Sequence, residues 1–259
     1  MKMYFDCPTC LRSDGIYPSI QIEYENKRDF ILECSQGHKH YCYYSEFVYT
    51  NSFHEGLIYF IKEEYFSAFL SIYSSYEQFL DMVVENFFIY FYEINGEKLD
   101  YETFKNRCLK GILKNSDRKI AAYEMGYLAI FNEIAPNISG KLQQLRNSVV
   151  HRGHIPTKKN LENLIEKYWL LSKTVFLKME QNDLMLTTKN SNLHYNSWLQ
   201  NTEWDVPKLQ SEGKFHFVVQ QSLRMELGFG PIEDLEYNLD KLLKQALSSE
   251  RNLYRWSKQ

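Results

Sequence analysis

The chain has 259 residues, room for one large domain or two small ones, and its 44% hydrophobic and 24% charged content is that of a globular protein with a real core. Residues 1–10 lack the apolar run of a signal peptide. The richest apolar stretch, Phe66 to Tyr92, is interrupted by Glu77, Gln78, Asp81 and Glu85, so no membrane span is expected and the chain reads as cytoplasmic.

The net charge of −3 conceals a basic centre: residues 103–178 carry 14 Lys and Arg against 5 Asp and Glu, while residues 1–102 carry 7 against 17. Such a block is either the footprint of a local polyanion site or a pair of solvated helix faces.

Residues 1–50 read as a small β unit. Ile20, Ile22 and Tyr24 alternate with polar residues, Phe30 to Glu33 forms a second run, and Tyr41 to Tyr44 a third. Four of the five cysteines, Cys7, Cys10, Cys34 and Cys42, lie here, which suits metal ligation in a reducing compartment better than a disulfide framework. Cys7-Pro-Thr-Cys10 is a CxxC knuckle, and Cys34-Ser-Gln-Gly-His38 adds a third thiol and an imidazole. Three thiolates and one imidazole fill the four positions of tetrahedral zinc. The expectation is therefore a zinc-ribbon-like module whose structural Zn2+ is held by Cys7, Cys10, Cys34 and His38. His40 and Cys42 are rival fourth ligands, ranked behind His38 on spacing.

From Phe53 the period becomes that of a helix. Phe66, Phe69, Leu70, Tyr73, Tyr76, Leu80, Val83, Val84, Phe87 and Phe91 recur at three- and four-residue steps, predicting one long amphipathic helix that stops at Asn95-Gly96. The aromatic residues concentrated here read as packing material before base-stacking surface. Weaker helical patterns cover residues 100–114 and 117–134, and Pro136 breaks the chain. Ile138, Leu142, Leu145, Val149 and Val150 mark a further helix that Gly153 and Pro156 end, and Thr157 caps the next, which runs to Glu180.

Residues 53–181 thus form a helical bundle. Residues 183–213 are polar, rich in Asn and Thr, and read as loop, while Lys214 to Leu227 is ambiguous between strand and helix. A last amphipathic helix opens at Gly230-Pro231, so residues 182–259 read as a C-terminal extension, α or α/β, ending in that helix.

The chemistry concentrates at Leu145 to Gly153, which reads Leu-Arg-Asn-Ser-Val-Val-His-Arg-Gly. This stretch resembles the signature of the HEPN superfamily: Arg, four residues, then His, with a polar residue directly after the Arg. Arg146, Asn147 and His151 stand at those positions, and the helices before and after extend the resemblance over roughly residues 60–180. It implies a mainly α fold, a HEPN-like helical bundle, here with the small N-terminal β zinc ribbon and the C-terminal extension attached. It also implies an endoribonuclease acting as a homodimer, with two Arg/His pairs facing one cleft. Glu77 stands where related proteins place an acidic residue facing the Arg.

The residue types suit the reaction. RNA carries its own nucleophile, the 2′-OH, so catalysis needs no cofactor. His151 can accept or deliver the proton near neutrality. Arg146, planar and always charged, can hold the phosphate bidentately, and Asn147 can orient either partner. The products are a 2′,3′-cyclic phosphate and a 5′-hydroxyl. On an ideal helix five residues mean about 7.5 Å of rise and about 140° of rotation. One chain therefore aims both groups at one phosphate only where the His sits at a frayed helix end, such as Gly153 supplies.

Arg152, Lys158 and Lys159 flank the motif as candidate substrate-binding cations, with RNA as the partner. The setting implied by the resemblance is a bacterial toxin or an antiviral abortive-infection effector, with an antitoxin or a trigger protein as a further partner. The alternative is a non-catalytic HEPN scaffold or RNA-binding partner protein, in which Arg146 pairs with Glu77 and His151 caps its helix. His54, His194 and His216 are scattered without paired carboxylates and receive no role; Cys108 reads as a buried thiol.

Overall fold

Residues spaced three and four apart leave one side of each helix apolar, and burying those sides together builds the centre of the molecule. The computed structural model describes residues 2–7, 9–10, 19–23, 29–44, 48–94, 96, 101–138, 140–182, 195–220, 236–249 and 254–256. The architecture is mainly α, with a small β element at the N-terminus.

Helix α1 (Val48–Ile61) and helix α2 (Tyr65–Ile94) form a hairpin. Helix α2 is the predicted long helix, and it buries Phe69, Tyr76, Phe79, Val83 and Phe87. Gly96 follows in the left-handed conformation, φ 76°; Asn95 lies outside the described residues. Residues 101–113 are helical but not uniformly so. Tyr101–Phe104 (α3) and Lys110–Leu113 (α4) are separated by a π turn, Lys105–Leu109, on which Cys108 is half-buried rather than buried.

Helix α5 (Ser116–Phe131) begins where the Asn115 side chain accepts the Arg118 N–H at 3.0 Å and ends at Asn132, φ 52°. Helix α6 (Gly140–Arg152) stops at Gly153, φ 65°. Helix α7 (Lys158–Gln181) opens with a reciprocal cap: Thr157 Oγ1 accepts the Asn160 N–H at 3.2 Å, and Asn160 Oδ1 accepts the Thr157 N–H at 3.1 Å.

Helices α1, α5 and α7 all pack on α2. A buried polar relay ties three of them together. The Tyr168 hydroxyl of α7 donates to the Ser75 carbonyl at 3.2 Å, and Ser75 Oγ donates to the Tyr49 carbonyl of α1 at 2.6 Å.

The β element draws on both ends of the chain. Strands β1 (Lys2–Asp6) and β2 (Ser19–Glu23) form an antiparallel pair. Strands β3 (Asp29–Glu33) and β4 (Lys39–Tyr44) form a second pair, which β5 (Phe215–Gln220) extends by running parallel to β4. Strand β6 (Tyr254–Trp256) then pairs antiparallel with β5, giving the order β3-β4-β5-β6.

Residues 183–213 differ from the expected loop. Residues 195–201 are helical (α8), and Val206–Ser211 form a further helix, α9. The reason is aromatic burial: Trp198 packs on Tyr43 of β4 with ring centroids 4.7 Å apart, and Val206 and Phe215 complete this second small core. Helix α10 (Leu239–Ser249) lies on α1, where His54 Nε2 donates to the Ala246 carbonyl at 3.0 Å. The chain then runs on into β6, so an amphipathic helix is not its last element. The expected start of that helix at Gly230-Pro231 lies outside the described residues.

The α1–α2 crossing is close enough to require glycine. A Cβ on Gly56 would lie 2.4 Å from Ile72 Cγ1, 3.1 Å from the Ile72 backbone nitrogen and 3.3 Å from the Ala68 carbonyl oxygen. Gly56→Ala must push the two backbones apart, and a loss of about 2 kcal/mol in denaturant unfolding is expected. An unchanged unfolding midpoint would contradict this crossing geometry.

Candidate functional site

Two places bring chemically capable side chains together. The first is the cysteine cluster. The CxxC knuckle supplies Cys7 and Cys10, and the turn between β3 and β4 supplies Cys34 and His38. That turn is tight: the Gly37 N–H reaches the Cys34 carbonyl at 2.9 Å with Gly37 at φ 77°, a conformation that suits glycine.

The four ligand atoms all lie within 4.8 Å of one another. Cys10 Sγ is 3.8 Å from Cys34 Sγ, and His38 Nδ1 is 3.8, 3.2 and 3.5 Å from the sulfurs of Cys7, Cys10 and Cys34. A tetrahedral ion with metal–sulfur bonds of about 2.3 Å puts its ligand atoms roughly 3.3–3.8 Å apart, so the cluster has the dimensions of a closed four-ligand site.

The thiols are tuned unequally. Burial and hydrogen bonding with Cys7 and Cys34 push the Cys10 thiol up to about 12. Burial also raises Cys34, but the backbone N–H groups of His38 and Gln36 outweigh it and bring that thiol down to about 7. A thiol brought down by backbone N–H groups beside one pushed up by burial is an arrangement that a divalent cation relieves.

The rival ligands His40 and Cys42 do not belong to the group of four whose ligand atoms all lie within 4.8 Å of one another. Cys42 is fully buried, its thiol pushed well up by desolvation, and it faces the His40 carbonyl at 3.8 Å. His40 is 1% exposed, with Nε2 3.2 Å from Cys7 Sγ and Nδ1 3.0 Å from His216 Nε2. Burial, and then the charge of His38, bring its imidazole down to about 4. His216, which has no evident role in the sequence, therefore touches the environment of the site. The only signal for it is the β4–β5 register that sets Cys42 opposite His216, and 173 intervening residues hide that pairing.

The second place is the exposed side of α6. Leu142 and Val149 are buried in the helical core, which fixes the rotation of the helix. Asn147, His151 and Arg152 are consequently exposed, and Arg146 is half-buried. The Arg146 guanidinium donates to Asn147 Oδ1 at 3.3 Å. It also acts on Tyr73 of α2, whose hydroxyl is pushed up to about 12 by burial and by Glu77, with Arg146 opposing.

Arg146 and Glu77 thus share the neighbourhood of Tyr73, yet among the described residues no ion pair joins them. The Glu77 carboxylate instead accepts from Ser116 Oγ at 3.1 Å. Nor does the His151 ring cap its helix. The carbonyls of Ser148 and Val149 are taken by the backbone N–H groups of His154 and Gly153, both at 3.2 Å.

Helix α6 remains regular through His151 and Arg152, so the frayed end imagined at Gly153 is not used. Arg146 and His151 of one chain leave the helix in different directions. Lys158 and Lys159 are exposed in the first turn of α7, near the end of α6 in sequence. A groove of about 370 Å3 between α6 and α7 is lined by Leu142, Gln144, Leu145, Ser148, Asn163 and Lys167 among others.

The purified protein should carry one equivalent of bound divalent metal per chain, measured by mass spectrometry of the digested protein. Cys10→Ser and His38→Ala should each reduce it well below half, while Cys42→Ala should keep it. Full retention in the first two variants would remove the site.

Comparison of the chain with family models, curated proteins and solved structures finds no match.

Proposed function

We propose that the chain is an endoribonuclease of the HEPN kind, cutting RNA by attack of the 2′-OH, and that a structural zinc ion is held by Cys7, Cys10, Cys34 and His38. The observation that carries the nuclease reading is that Arg146, Asn147 and His151 share one helix and are not consumed by the fold. Among the described residues, Arg146 hydrogen-bonds its neighbour Asn147 alone, and His151 has no hydrogen-bond or ion-pair partner. A guanidinium, an amide and an imidazole left accessible in an otherwise basic stretch suit a phosphodiester better than they suit packing.

Within the reaction, His151 takes the proton of the attacking 2′-OH or returns one to the leaving 5′-oxygen. Arg146 neutralises the extra charge on the phosphorane. Arg152, Lys158 and Lys159 hold the strand by its phosphates without reading sequence. About 140° of helix rotation separates Arg146 from His151. The pair therefore works across a two-fold axis, His151 of one copy meeting Arg146 of the other. Val150 and Ile155, 44% and 66% exposed beside His151, supply apolar surface for that contact. The zinc supports the fold, because four protein ligands leave no position for a substrate.

By the same resemblance the chain is a cytoplasmic toxin or abortive-infection effector. Among the described residues no helix is long and apolar enough to cross a membrane. The divergence of Arg146 and His151 within one chain also favours a second reading: a monomer would be an RNA-binding or scaffold protein without cleavage.

Incubation with RNA in EDTA tests the first reading. Cleavage leaving 2′,3′-cyclic phosphate ends is expected, with a loss of roughly 100-fold or more in either His151→Ala or Arg146→Ala. Oligomers with a 2′-deoxy sugar at the cut position should be inert. Cleavage that survives both substitutions, or that requires Mg2+, overturns the assignment.

A further inference from the structure

The cysteine cluster is backed by a line of two histidines that crosses from one end of the chain to the other. His40 Nε2 lies 3.2 Å from Cys7 Sγ, and His40 Nδ1 lies 3.0 Å from Nε2 of His216. The two rings are tilted by 57° with centroids 5.0 Å apart, the relation of an edge hydrogen bond rather than a stack. His40 sits on β4 and is 1% exposed; His216 sits on β5, which is held to β4 by parallel pairing from Tyr41↔Phe215 to Tyr44↔Val218.

Metal binding fixes the direction of this line. A metal-bound cysteine is a thiolate and accepts hydrogen bonds, so His40 presents Nε2–H to Cys7. A neutral imidazole that donates from Nε2 keeps only a lone pair at Nδ1, so His216 donates its Nε2–H to His40. The order His216 to His40 to Cys7 to metal then pairs both ring nitrogens of His40.

Resting on the metal reading above, we infer that His40 and His216 are positioning residues of the metal centre, and that through them an occupied centre latches β5, the strand returned by the C-terminal part of the chain, onto the N-terminal sheet. Metal occupancy and docking of β5 are then coupled. Loss of the ion, whether to a chelator or to oxidation of the thiolates, loosens a strand more than 170 residues away in sequence. Among the described residues, strand β6 is the edge strand of this sheet and pairs with β5.

Two measurements on the full chain decide this. In the first, zinc affinity is read by competition with a chromophoric chelator and the thiolate environment by Co2+ substitution. His216→Phe keeps the ring volume but has no donor. It should keep the tetrahedral cobalt bands, shift the sulfur-to-cobalt charge-transfer band and weaken zinc binding at least about tenfold, while His216→Gln, whose amide can donate, recovers most of the loss. In the second, amide hydrogen exchange at residues 215–220 of the wild type is followed with and without EDTA, and chelation should speed it while leaving the centre of α2 unchanged.

Unaltered zinc affinity and charge-transfer energy in His216→Phe overturn the inference. So does exchange at 215–220 that is blind to EDTA, a readout that requires no variant to fold. A wild-type chain that gives no tetrahedral cobalt spectrum removes the metal reading itself, and this inference with it.

Discussion

Burial of the aromatic face of α2 is the interaction on which the rest depends. Tyr76, Phe79 and Phe87 are almost fully buried, and Tyr168 of α7 meets Tyr76 and Phe79 edge-on. Leu142 and Val149 of α6 join the same core, so the packing that stabilises the bundle also sets the rotation of α6. Once those two residues point inward, the helical period directs Arg146 toward Tyr73 and Glu77 and leaves Asn147 and His151 in solvent. The proposed chemistry is thus a by-product of core packing. No local loop has to be strained to display it.

The same geometry makes a single chain insufficient. A regular helix cannot bend Arg146 and His151 toward one phosphate, and α6 is regular to Arg152. On the proposed nuclease reading, the contact that completes the site comes from a second copy, which carries the same residues. The metal cluster answers a different problem. The strands β1 to β4 are short, the second core that β4 joins is small, and four metal bonds at the proposed site would hold what little hydrophobic burial cannot.

Much of this was legible in the sequence wherever the determining residues are close together. The period of α2, the Thr157 cap, the Gly153 stop and the Cys-x-x-Cys knuckle are local signals, and each marks a feature at the expected residues. What escaped was non-local. Helices 195–201 and Val206–Ser211 look like loop because their segment is polar; only Trp198 and Trp204, finding Tyr43 and Tyr41 on a distant strand, make them worth folding. His216 had no signal for the same reason, since its partner lies 176 residues away. The π turn at Lys105–Leu109 is too small a departure from the helical period to register in a hydrophobic pattern.

The central claim, that the guanidinium of one copy and the imidazole of another share one phosphate, is tested most directly by complementation. Arg146→Ala and His151→Ala chains, each inactive alone, are co-expressed with different tags, and the mixed dimer is isolated and given RNA in EDTA. Clear cleavage by the mixed dimer is expected, because it retains one Arg146 and one His151 on opposite chains. A mixed dimer as inactive as its parents, beside a wild type that cleaves, would contradict it.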